Sequence, residues 1–295
     1  MPKKLIQFII SAFALIFLFP ANTCAEEASF TYTIINGEAT IIGFTGEPET
    51  LSIPSVIENC PVTEIRDNAF FNCGSLKEII LPDSLKIMGH HCFYACTSLE
   101  SIVLPRSLEE IGMGCFCGCI ELSSVTISES LNILPDSCFR SCTSLREIII
   151  PQNITEIEKY CFSGCTSLTS VSLSGRLNEI GCYAFFMCNS LEELYIPPSV
   201  QAMGTESVGF IPDPNGAVPP SADGFKIFGE KGSAAEAYAQ SNDISFSESV
   251  ETVQAMAFRN NNEVRKQITA KIMTIGIIIF TVSLAAVILL RKKEN

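Results

Sequence analysis

Three cysteines fall within five residues in the stretch Gly112-Met-Gly-Cys-Phe-Cys-Gly-Cys119. Thiols this dense can hold a metal, form a disulfide knot or carry redox chemistry. Upstream, the chain's two histidines, His90 and His91, directly precede Cys92, which invites a Cys–His nucleophile reading. Gly112-Met-Gly114 also begins like a phosphate loop, but Cys117 stands where a third glycine would be needed. Chemistry requires residues that belong to one site, so the deciding question is whether these positions recur elsewhere.

They recur every 23 residues. Phe70, Phe93, Phe116, Phe139, Phe162 and Phe185 keep that interval, as do Cys73, Cys96, Cys119, Cys142, Cys165 and Cys188. Leu76, Leu99, Leu122, Leu145, Leu168 and Leu191 follow in step. In LKEIILP (76–82), Ile79 and Leu81 alternate with Glu78 and Ile80, the period of a strand, and Pro82 ends it. A second apolar pair such as Leu108 and Ile111 follows, with Gly112 at the turn; CFYAC (92–96) then reads as a short helical turn carrying Cys92 and Cys96 on one face. A single coil cannot bury its own apolar face, whereas stacked coils bury a continuous one, with strands about 4.8 Å apart in a parallel sheet.

Set in this frame, the cysteines read as packing. Cys92, Cys115, Cys138 and Cys161 share a column with Ala69 and Ala184, so the slot requires smallness rather than a thiol. The other column is all cysteine, as befits a small soft side chain under a tight turn. A disulfide framework is the alternative, but equivalent Cβ atoms one coil apart sit wider than the usual separation of about 3.5–4.5 Å. Parallel columns also fail to converge on the tetrahedron zinc needs. His90 and His91 lie at variable positions and Cys92 in a buried column, so an exposed turn pair is the reading there. Cys117 belongs to no column, sharing its slot with Phe71, Tyr94, Arg140, Ser163 and Phe186, and is expected to be the accessible thiol. No catalytic residue, cofactor or metal site is expected.

The ends have their own logic. Residues 1–25 combine Lys3 and Lys4, an apolar run and a small-residue cleavage pattern before Glu26, the features of an export signal; lipidation of Cys24 is the alternative. The run 272–290 has no charge and, at 1.5 Å per residue, reaches about 28 Å, the thickness of a bilayer core, which predicts one transmembrane helix. Residues 26–61 form an N-terminal cap, with a hairpin expected at Asn36-Gly37. Repeats occupy 62–210, six regular units and a degenerate one with Val208 in the phenylalanine slot. A C-terminal cap fills 211–247, with KGSAAEAYAQ (231–240) as a helix candidate; 248–271 reads as a stalk and 291–295 as a cytoplasmic tail. The formal net charge of −13, with its basic residues partly in the two ends, argues against nucleic acid as a partner.

The unit L-x-x-I-x-L-P-x-S-L-x-x-I-G-x-x-x-F-x-x-C-T-S-L, seen as LESIVLPRSLEEIGMGCFCGC (99–119) with CTSL at 96–99, 142–145 and 165–168, resembles the BspA-like leucine-rich repeat of surface antigens. The lead-in GEATIIGFTGEPETLSIPSVIENCPVTEI and the closing DGFKIFGEKGSAAEAYAQSNDISF are similar to the ends of such arrays. The resemblance implies an α/β repeat solenoid with a parallel β-sheet on one face, short helical or turn segments on the other, and a hairpin cap. It further implies a bacterial cell-surface protein that binds proteins, matrix or cells. No LPxTG-type sorting motif precedes the C-terminal apolar run, so anchoring would be by the span.

Two outward columns of the strand are the candidate binding face: Ile80, Val103, Thr126, Ile149, Ser172 and Tyr195, and beside them Glu78, Glu147 and Glu193 with serines at the intervening coils. An apolar stripe next to carboxylates fits a protein or glycan on host or neighbouring cells. Outward strand positions also favour β-branched residues for their own sake. A structural or assembly role at the cell surface is the competing function; a secreted hydrolase lacks a constellation of acid, base and nucleophile.

Overall fold

The computed structural model describes Gln7–Ile9, residues 29–211 and residues 224–248. All of these fall in one compact unit, Met1–Ser249; the other, Val250–Asn295, lies outside the described residues and carries the expected span, the tail and most of the stalk. Of the expected export signal, Gln7–Ile9 is described, as a strand antiparallel to residues 29–31. Among the described residues no helix is long and apolar enough to cross a membrane.

Each coil runs through a strand, a second short strand and a turn. The first ladder pairs Thr50–Ser52, Glu78–Ile80, Ser101–Val103 and Ser124–Thr126 in parallel, then Glu147–Ile149 with Ser170–Ser172. Its last block joins Glu193–Tyr195, Lys226–Gly229 and Ser245–Glu248. The second apolar pair of each repeat also forms a strand: Glu38–Thr45, Cys60–Ile65, Ile87–Met88 and Glu110–Ile111 make one parallel series, after which come Ile133–Leu134, Glu156–Ile157, Glu179–Ile180 and Ala202–Met203. The expected α/β array with one sheet is therefore a leucine-rich-repeat β-solenoid with two strand ladders.

The third side corrects the helical reading of CFYAC. It is built of turns, and two residues per coil are left-handed: His91 and Ala95 at φ +53° and +56°, Ser137 and Ser141 at +56° and +60°. Left-handed backbone costs about 1–2 kcal/mol per non-glycine residue, so something must hold it. The N–H groups of His91, Phe93 and Ala95 donate to the carbonyls of Met113, Cys115 and Cys117 at 2.9, 2.8 and 2.8 Å. The same triplet repeats coil after coil, so each turn is fixed by the next. A helix would direct these donors along its own axis and leave neighbouring coils unbonded. Gly112 serves close approach rather than turn geometry, since a Cβ there would run into the His90 backbone nitrogen and the Gly89 carbonyl carbon.

Inside, the six phenylalanines form one stack, each fully or almost fully buried. Ring centroids lie 4.9 Å apart between Phe70 and Phe93, and 5.5 and 5.4 Å on either side of Phe139, with planes within 10° of parallel. The N-terminal cap closes the stack with tilted rings, Phe44 at 5.3 Å and Phe30 edge-on at 6.4 Å from Phe70. Its hairpin forms as expected, Ser29–Ile35 against Glu38–Thr45, with Asn36 and Gly37 at φ +54° and +80°. At the other end Val208 occupies the phenylalanine slot and is buried. The helix Ala234–Ser241 covers it, and the Val208 N–H donates to the Tyr238 hydroxyl at 3.3 Å.

Candidate binding face

The thiols sort cleanly. Cys92, Cys115, Cys138 and Cys161 are fully buried, and no cysteine among the described residues is bonded to another. Burial, followed by the neighbouring Cys115, pushes the Cys92 thiol well above its ordinary value. Buried and protonated, Cys92 offers no thiolate to a substrate. His90 is committed elsewhere: its N–H donates to Asp67 Oδ1 at 2.7 Å, and its Nδ1 accepts the Met113 N–H at 3.0 Å. His91 lies in a left-handed turn, edge-on to Tyr94 at 5.6 Å. The histidines therefore tie adjacent coils together at a turn.

The second cysteine column has a role that composition did not reveal. The Sγ atoms of Cys96, Cys119, Cys142, Cys165 and Cys188 each donate to the carbonyl of a phenylalanine one coil earlier: Phe70, Phe93, Phe116, Phe139 and Phe162, at 3.2–3.3 Å. Each of these five cysteines is thus a small hydrophobe that is also a donor, giving a buried carbonyl at the turn a second partner. Cys117 is half-buried, but so are Cys60, Cys73 and Cys182, and it is not the lone accessible thiol. Burial raises the Cys117 thiol, the nearby Arg140 charge opposes that rise, and Asp136 adds to it.

The outward positions of the first ladder do come together. Register places Val103 beside Thr126, Ile149 beside Ser172, and Glu147 beside Ser170. Ile80 and Val103 are 42% and 44% exposed; Thr126, Ile149, Ser172 and Tyr195 are half-buried, Glu78 and Glu193 exposed, and Glu147 half-buried. Exposure alone does not distinguish this face, because Ile87 and Ile133 on the second ladder are 37% and 42% exposed. Continuity does. Ile87 sits beside Glu110 and Ile133 beside Glu156, so each of those isoleucines is bounded by a carboxylate in its own row.

The stripe is longer than the 23-residue period shows. Ser52 precedes Ile80, and Phe228 and Ser247 follow Tyr195 in register. Lys226 lies beside Glu193, with its Nζ 4.7 Å from the centre of the Phe228 ring. These residues were missed because the cap re-enters the ladder 33 positions after Tyr195 rather than 23. The alternation in Lys226-Ile-Phe228 was the available signal. Burial, then the Glu230 charge, raises the Tyr195 phenol.

A solenoid of stacked coils with two parallel strand ladders is the architecture of a leucine-rich-repeat array. The chain belongs to the BspA type leucine rich repeat family: the model of that region matches residues 21–134 and 86–208, in 6 copies. Two solved structures are similar in fold. A leucine-rich repeat protein of T. pallidum is 24% identical, with 74% of this chain and 95% of that one covered and a TM-score of 0.56. One from Eubacterium ventriosum is 22% identical, covering 60% and 48%, with a TM-score of 0.53. No curated protein matches the chain.

Proposed function

We propose that this chain is a non-enzymatic surface protein of a bacterium that adheres to proteins on host or neighbouring cells through the outer row of its first ladder. The carrying observation is the row Ile80, Val103, Thr126, Ile149, Ser172, Tyr195 and Phe228 on successive strands of the first ladder, which holds no charged residue and has carboxylates beside it. Apolar and aromatic groups supply desolvation energy at such a face, and the flanking charges supply register and specificity. Export by residues 1–25 and anchoring by a span at 272–290 complete the reading, on the sequence pattern alone.

The double variant Ile149→Asp/Tyr195→Asp should fold, as judged by circular dichroism, because both side chains point outward. Cells displaying it should lose adherence to epithelial monolayers and matrix proteins. Unchanged adherence by the folded variant would overturn the assignment of this face. Deleting 250–295 should release the chain into the medium.

A further inference from the structure

Two positions flank each buried leucine at the corner between the turn and the first ladder. Over the four coils from Leu99 to Leu168, the following positions read Glu100, Ser123, Arg146 and the preceding ones Glu121, Ser144, Ser167. Ser123 lies between Glu100 and Arg146, and Ser144 and Ser167 follow Glu121, so three short side chains are bounded by three long ones around a half-open depression of about 320 Å³ lined by these six residues. That volume lies at the lower end of small-ligand sites, roughly 300–1,000 Å³. The depression opens beside the binding face, since Ser124 and Glu147 continue the same segments onto its strands.

Every lining side chain ends in a hydroxyl, a carboxylate or a guanidinium. Arg146 shares the space with Glu100 and Glu121, yet among the described residues it has no carboxylate within ion-pair distance. The Ser123 hydroxyl donates to the Glu100 carbonyl at 3.2 Å, which leaves its oxygen free to accept. Acceptors and donors thus share one space, which holds one guanidinium fork, two carboxylates and three hydroxyls, with almost no apolar wall.

We propose that this depression binds a neutral sugar unit of a surface glycan. Neighbouring hydroxyls on a pyranose each donate and accept. Carboxylates take the protons, the guanidinium donates two parallel N–H groups to adjacent oxygens, and serines do either. An anionic ligand meets Glu100 and Glu121 as well as Arg146, and an apolar one gains little surface. The inference deepens the adhesion reading and rests on its premise that this side of the solenoid meets another surface. The two fail separately, because the variants below leave Ile149 and Tyr195 in place.

The test titrates the full chain with methyl glucoside, methyl galactoside and N-acetylglucosamine by saturation-transfer NMR, with acetate and a glutamate-containing tripeptide as controls. At least one sugar should bind saturably. Arg146→Ala should weaken it roughly tenfold or more, as expected for losing a charged donor. Ser144→Gln, which fills the dip without changing charge, should do likewise, with unfolding midpoints and protein adherence retained. Absence of binding by all three sugars, survival of binding in both variants, or binding of acetate or the tripeptide alone would each overturn the proposal.

Discussion

Replacing Phe139 by alanine tests the stacking logic in the middle of the array. The ring is fully buried, with parallel neighbours at 5.5 and 5.4 Å, so its removal opens a cavity in the middle of the array. Phenylalanine-to-alanine changes in cores cost about 3–5 kcal/mol, and aromatic contact on both faces places this site in the upper half of that range. Against a typical stability of about 5–15 kcal/mol, the variant stays folded but loses a large share of its margin. The distribution of that loss is the sharper test. Coils contact only their neighbours, so stability is close to a sum of coil and interface contributions. A weak central interface should let the halves unfold separately, giving a broader urea transition by circular dichroism. Hydrogen exchange should accelerate most in the coils bearing Phe116 and Phe162. Phe70→Ala should instead fray the N-terminal end, where Phe44 and Phe30 already meet the stack at tilts of 33° and 75°. A cost below about 1.5 kcal/mol for Phe139→Ala, or equal exchange changes in every coil, would refute this account.

Two further outcomes follow from titratable groups. Native-state labelling with a maleimide should modify Cys60, Cys117 and Cys182 before Cys119 or Cys142; because burial raises the Cys117 thiol, its labelling should be slow near neutrality and accelerate as pH rises through and beyond the ordinary thiol range. Labelling of Cys142 at the rate of Cys117 would contradict the buried ladder. On the second ladder Glu156 stands beside Glu179, and burial first, then Glu179 and Glu158, raises its carboxyl above 4.5. The folded state therefore holds this proton more tightly than the unfolded chain does, and stability falls as pH climbs from below 4.5 through the raised value. Glu156→Gln should stabilise at pH 7 by a few tenths of a kcal/mol, the gain shrinking in high salt and disappearing in acid; a melting curve unchanged at pH 7 would count against the repulsion.

The sequence by itself determined the coil. Six phenylalanines, six leucines and six cysteines in fixed register leave a stacked array as the arrangement that buries all of them, and Asn36-Gly37 marks its hairpin cap. It also placed the outward row from Ile80 to Tyr195, because alternation along a strand is local. Three things depended on the tertiary structure. Hydrogen bonds between coils decided the third side: the spacing of Cys92 and Cys96 suits a helical turn equally well, and the bonds from His91, Phe93 and Ala95 to the next coil are what select the left-handed turns. The acceptor for each column thiol is a phenylalanine carbonyl 26 residues earlier, a contact that no local pattern encodes. Phe228 and Lys226 join the outward face of the first ladder because the cap returns to the ladder after an interval the repeat does not share. Burial follows from composition and period, both written along the chain; partners follow from where coils meet, which is fixed when they stack.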